Sequence, residues 1–230
     1  MLGTVVNMAA IIAGATMGVF LRRGISERYK AVIMQGIGLT VALIGLKMAL
    51  KTNNELIVIF SMAVGGFLGE ALDIDRMLES LGTRLKNLFA SGEGDFVKGF
   101  VTSSLVFCVG AMSVMGSLES GLTGQHRILF AKSLIDGISA VIFASTMGWG
   151  VVFSGISVLL YQGSITLLAG AVKVFMTEAV MAEMTAVGGL LIIAISSNIL
   201  GIKQFKVANL LPAIFVAIIL TSYAAGRISF

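Results

Sequence analysis

LGTVVNMAAIIAGATMGVFL, residues 2–21, runs for twenty positions without a charged side chain. Coiled as a helix at 1.5 Å per residue it covers about 30 Å, the thickness of a bilayer's hydrocarbon core. The nine residues that follow, Arg22-Arg23-Gly24-Ile25-Ser26-Glu27-Arg28-Tyr29-Lys30, hold four of the chain's sixteen Lys and Arg. Such an apolar run stopped by a short basic loop is a membrane span with its loop in the cytoplasm. No basic stretch or persuasive small-residue cleavage site marks a signal peptide, so the span reads as retained.

The rest of the chain has the same character. Hydrophobic residues make up 57% of its 230 positions and charged ones 12%, with 28 glycines and a single proline. A soluble domain carries charge at about a quarter of its positions, so lipid is the solvent here. At about twenty residues per span the length holds roughly seven or eight spans. The expected fold is therefore all-α: one polytopic transmembrane helix bundle over residues 1–230, with no separate soluble domain.

Spans are expected near residues 2–21, 31–50, 56–72 and 96–118. Two more come from 128–170, divided at the Thr146-Met147-Gly148-Trp149-Gly150 break, and the last lie near 184–202 and 207–226. The stretch holding Lys173, Glu178 and Glu183 reads as an external loop or a re-entrant segment, and residues 119–127 as an external loop. Both termini then lie outside. Between the third and fourth spans, Ile74, Met77, Leu78, Leu81, Leu85, Leu88 and Phe89 recur at three- and four-residue intervals among charges. That pattern predicts one amphipathic helix lying along the cytoplasmic headgroups. Ser91-Gly92-Glu93-Gly94-Asp95 reads as a linker between an N-terminal half, 1–90, and a C-terminal half, 96–230.

The identical strings Ala63-Val64-Gly65-Gly66 and Ala186-Val187-Gly188-Gly189 raise the question of an internal repeat, although biased composition produces such matches by chance. Gly14 with Gly18 and Gly65 with Gly69 form GxxxG pairs, which let helices approach closely in lipid. The plain reading is internal packing; the alternative is a homo-oligomer through those faces. Pro212 falls within the eighth span and predicts a kink.

Charges and amides at membrane depth carry the functional reading. Asp or Lys at a helix centre costs about 2.5–3.5 kcal/mol on insertion scales, so such residues face the bundle interior or water. Lys132 and Asp136 are four apart and share a helix face. They are either a structural ion pair or a cation-binding carboxylate with its counter-charge. Gly137, Ser139, Ser145 and Thr146 make that span polar enough to break and expose carbonyls to a solute. Asn7, Tyr161, Gln162, Asn198 and Asn209 add hydrogen-bonding groups that are interhelical links by default and a polar lining if they converge. Lys47 and Glu70 lie near span ends, where long side chains reach the headgroups.

Other function classes lack their residues. The spread of basic residues forms no nucleic-acid stripe. There is no GxSxG elbow and no phosphate loop, and His126 and Cys108 are the only histidine and cysteine. Neither a hydrolase triad nor a multi-cysteine or histidine metal site can be assembled, so no enzyme activity, cofactor or metal is expected. Methionine pairs such as Met112 with Met115 are better read as packing groups than as a Cu(I) site.

Four strings together resemble one family: Gly3-Thr4-Val5-Val6-Asn7, Cys108-Val109-Gly110-Ala111-Met112, Lys132-Ser133-Leu134-Ile135-Asp136-Gly137 and Tyr161-Gln162-Gly163. They are similar to the YqgA/YdfK family of bacterial integral membrane proteins, built on a domain of unknown function, over nearly the whole chain. The resemblance implies a multi-pass protein of the bacterial inner membrane and a transport-like role, with no family substrate to carry over. The expectation is a secondary transporter or ion-conducting protein whose partners are lipids and a small ion or polar solute. Its site would comprise Asp136, Lys132, Asn7, Tyr161, Gln162, Asn198 and Glu70. A structural or regulatory membrane protein is the alternative.

Overall fold

The structure, a computed structural model, describes residues 1–22, 27–89 and 96–224. The linker at 91–95, the centre of the first basic loop and the end of the eighth span lie outside the described residues. Every regular element among the described residues is helical: α1 (Leu2–Arg22), α2 (Glu27–Ala49), α3 (Glu55–Leu72), α4 (Ile74–Phe89), α5 (Phe96–Cys108), α6 (Ala111–Thr123), α7 (Arg127–Met147), α8 (Gly150–Leu167), α9 (Ala169–Lys173), α10 (Glu178–Leu200), a 3-10 turn (Val207–Leu210) and α11 (Pro212–Ala224). Seven of these segments are long and apolar enough to cross a membrane, or eight if α5 and α6 form one bent span. In lipid the backbone has no water to bond, and helices satisfy it internally.

Several boundaries depart from the sequence reading for local reasons. The single span expected over 96–118 is two helices meeting at a 61° bend. Gly110, at φ 151° and ψ 151°, turns the chain there in a conformation that side-chain-bearing residues rarely adopt. The break expected beside Gly137 is absent, and α7 is continuous. The segment read as an external or re-entrant loop becomes the first turns of α10, capped by the Thr177 hydroxyl on the Val180 amide. Pro212 kinks nothing, because it is the first residue of α11, where a missing N–H costs no helical bond. The amphipathic segment is helical, and α4 starts where Asp73, in the left-handed region at φ 49°, ends α3.

The helices pack as two compact units. The first comprises Met1–Ile37 and Glu79–Val172, the second Gly38–Leu78 and Lys173–Phe230. In the first unit α1 runs parallel to α7, with Gly3 against Leu129, Gly14 against Gly137 and Gly18 against Val141. A methyl group on Gly14 or Gly18 would collide with the carbonyl oxygen of Gly137 or Val141. In the second unit Gly65 and Gly69 of α3 meet Ala213 and Asn209, and Gly45 of α2 meets Gly189 of α10. Both GxxxG pairs are thus occupied within the chain. The two AVGG strings both belong to the second unit, in the middle of α3 and α10.

Candidate functional site

Asp136 is the tenth of the twenty-one residues of α7, about 14 Å along a helix about 30 Å long. Lys132 lies one turn earlier on the same face, and its ammonium donates to Asp136 Oδ1 at 2.9 Å and contacts Oδ2 at 2.8 Å. Both residues are buried, with 7% and 4% of their surfaces exposed. Two charges held away from water are each desolvated at several kcal/mol, and their attraction offsets that only with good geometry and further hydrogen bonds.

The further bonds come from α1 and α8. Asn7 of α1 donates from Nδ2 to Asp136 Oδ2 at 3.0 Å and to Gln162 Oε1 of α8 at 3.3 Å. Gln162 Nε2 donates to Ser113 Oγ at 3.1 Å, and the Ser113 hydroxyl donates to the Phe107 carbonyl at 3.0 Å. Ser113 and Phe107 flank the bend between α5 and α6, so one directed chain links the mid-span carboxylate to an interrupted helix. Asn7, Gln162 and Ser113 are fully buried. Among the described residues, Asn7 Oδ1 is a buried acceptor without a hydrogen-bond partner.

Around this chain the polar residues share a seam. Thr4 and Asn7 fall on one face of α1, Ser113, Ser117 and Ser120 on one face of α6, and Gln162 and Thr166 on one face of α8; all seven are buried. Thr4 and Thr166 hydroxyls approach to 3.5 Å. Further along, burial is mixed: Ile11, Ala15, Ala140, Ala144 and Val151 are apolar, whereas Ser145, Thr146 and Ser154 are polar. Ser113, Ser117, Ser120, Thr4 and Thr166 were not singled out from the sequence. Their three- and four-residue spacings were the available signal, diluted because hydroxyls are common in apolar helices.

The chain has extensive relatives. The family model described as a protein of unknown function, DUF554, matches residues 2–222. This chain belongs to the DUF554 family. The uncharacterized membrane protein YdfK of Bacillus subtilis is 32% identical over 220 residues, covering 94% of this chain and 93% of the relative. The Escherichia coli protein YqgA is 29% identical over 226 residues, covering 96% of each. No solved structure matches the chain. Helical spans and family together make this a multi-pass membrane protein with bacterial homologues.

The remaining candidates of this DUF554 chain are placed elsewhere. Tyr161 is half-buried beside Gln162, but consecutive helical residues point about 100° apart, so the two face different ways. Asn198 belongs to the second unit. It closes the loop after α10, donating to the Phe205 carbonyl at 2.9 Å and accepting from the Phe205 amide at 2.7 Å. Glu70 also belongs to the second unit, where it accepts from Lys206 at 2.6 Å and from Asn209 at 2.7 Å. The bond to Glu70, reinforced by that carboxylate's charge, holds the exposed Lys206 above the ordinary lysine pKa. Asn209 in turn accepts from the Asp75 amide at 2.6 Å, so it joins α3, α4 and the 3-10 turn instead of a mid-span site.

Glu183, outside the expected site, is 1% exposed. Its carboxylate accepts from the Thr52 hydroxyl at 2.6 Å and from the Asn53 and Asn54 amides at 2.7 and 3.1 Å. An acidic group there also complements the positive N-terminal end of α3.

Proposed function

We propose that the protein is a secondary transporter or ion-conducting protein of the bacterial cytoplasmic membrane, handling a small ion or polar solute without enzymatic turnover. One observation carries this reading: a mid-span carboxylate bonded through Asn7 and Gln162 to the interrupted α5–α6 pair. A hydrophobic pair of similar volume would hold two helices at least as well as a buried ion pair does. Retaining the charges, and surrounding them with amides and hydroxyls, is what moving a charge through oil requires. Interrupted helices supply solute sites in membrane transporters because their loose ends offer unpaired carbonyls. Asp136 would bind or couple, Lys132 would balance its charge, and the seam from Thr4 and Thr166 would lead toward it.

The test is flux in proteoliposomes of the purified protein, read with radioactive sodium and with a pH-sensitive dye trapped inside. Protein-dependent flux that falls at least tenfold in Asp136→Asn, with the variant still monodisperse, supports the reading. Flux unchanged in that variant removes Asp136 from the mechanism. A structural or regulatory role is favoured by one feature, the closure of both Asp136 oxygens by Lys132, and predicts no flux with any probe while the protein remains folded.

A further inference from the structure

We propose that Lys132 is a resident competitor for a small monovalent cation: the cation takes the ammonium's place on Asp136, and the Asn7 amide turns over to help hold it. The inference rests on the transport reading and names the class of solute that the site takes.

The Lys132 ammonium is a compact charge touching both oxygens of one carboxylate. A site shaped for that charge suits another cation of the same valence, and the groups bonded around it are the Asp136 carboxylate and the Asn7 and Gln162 amides. Hard ions prefer such ligands, whereas soft ones take sulfur. Charge selects the valence. With Lys132 withdrawn, the described cluster carries one negative charge, which a monovalent ion neutralises; a divalent ion would leave a net positive charge buried.

Asn7 supplies the switch. Its Nδ2 faces two acceptors, Asp136 Oδ2 and Gln162 Oε1, so the amide orientation is dictated while lysine holds the carboxylate. That orientation leaves Oδ1 buried without a partner. An orphaned buried acceptor is destabilising, and a cation beside Asp136 would relieve it once the amide turned. Gln162 Oε1, losing the Asn7 donor in that turn, becomes a further ligand. Lys132 lies five residues from the start of α7, so its flexible stem can carry the ammonium toward that end of the helix as the ion arrives.

The experiment is equilibrium binding of radioactive sodium to the full-length protein purified in detergent, with choline as the balancing cation. Lys132→Gln, which removes the competitor, is expected to bind sodium at least tenfold more tightly than the wild type. Asp136→Asn abolishes binding, and Asn7→Ala in the Lys132→Gln background weakens it at least fivefold. Equal affinity in wild type and Lys132→Gln, or binding that survives Asp136→Asn, overturns the proposal. So does a Lys132→Gln protein that binds no sodium up to pH 9, the result expected if the vacant carboxylate takes a proton instead.

Lys132→Gln leaves a buried carboxylate unbalanced and can fail to fold. The wild type then decides. Displacement frees the ammonium, so acetylation of Lys132 by acetic anhydride, read by mass spectrometry, rises at least threefold in sodium over choline; equal rates sink the idea. Flux that needs Asp136 without any sodium binding removes this inference and leaves transport standing. Sodium binding without flux does the reverse.

Discussion

Replacing Lys132 with methionine keeps the length of the side chain and removes its charge, leaving Asp136 with one described donor, Asn7 Nδ2, in place of two. Removing one partner of a buried pair destabilises by about 3–5 kcal/mol, because the surviving charge stays desolvated. Asp136→Leu strands the ammonium in the same way, and both residues are more than nine-tenths buried, so solvent screening gives little relief. The double variant Lys132→Met/Asp136→Leu removes both charges, and replacing a buried pair by apolar groups is neutral or stabilising by about 1–4 kcal/mol. The cycle therefore has a coupling energy of at least about 6 kcal/mol, far outside the few tenths expected of independent sites. For a chain of this size each kcal/mol moves Tm by about 2–4 °C. Each single variant should melt roughly 6–20 °C below the wild type in sodium-free detergent, and the double variant at or above it. Single losses below 1 kcal/mol that simply add in the double variant would show that the pair is hydrated in the membrane and that the energetic argument is wrong.

Three further outcomes follow from the packing and the second unit. Gly14→Val should push α1 from α7 and destabilise by at least about 1–3 kcal/mol, the range for overpacking, read as lost thermal stability or lost monodisperse yield; wild-type behaviour would mean the two helices do not meet at Gly14. Glu183→Gln keeps the shape but weakens three charge-assisted bonds, so hydrogen exchange at the Asn53 and Asn54 amides should quicken by at least tenfold, whereas Thr52→Val has a smaller effect. Because Glu70 raises the pKa of Lys206, their pairing stabilises the folded state fully below the ordinary lysine value of 10.5 and is lost as pH climbs through the raised value. Unfolding scans from pH 9 to 12 should thus show a steeper alkaline decline for the wild type than for Lys206→Met, and parallel curves would refute the pairing.

Much of the fold was legible because hydrophobic transfer is nearly a local sum. Residues 2–21, 56–72 and the two spans divided at Gly148-Trp149 emerge as helices close to their expected bounds. The errors fall where a distant group changes the meaning of a local one. Glu178 and Glu183 read as loop because nothing nearby offsets a carboxylate, yet Glu183 is satisfied by Thr52, Asn53 and Asn54, about 130 positions earlier. Gly110 breaks a span whereas Gly137 does not. Each is a glycine in an apolar run; Gly110 sits at φ 151° between two helices, whereas Gly137 stays helical and packs against α1. Asn198 reads from the sequence as a polar group at membrane depth, but it closes the 201–205 loop instead, a role that depends on where Phe205 returns.

Composition and periodicity by themselves determined that the chain lives in lipid, that seven or eight helices are apolar enough to cross it, and that Lys132 and Asp136 share a face, since each depends only on residues within a turn or a span of one another. Which of the buried amides reach that pair was decided by the tertiary structure alone. Asn7 and Gln162 arrive from helices more than a hundred residues apart in sequence, and their meeting depends on how closely glycine lets α1 approach α7 and on the rotation of α8, neither of which any single segment encodes.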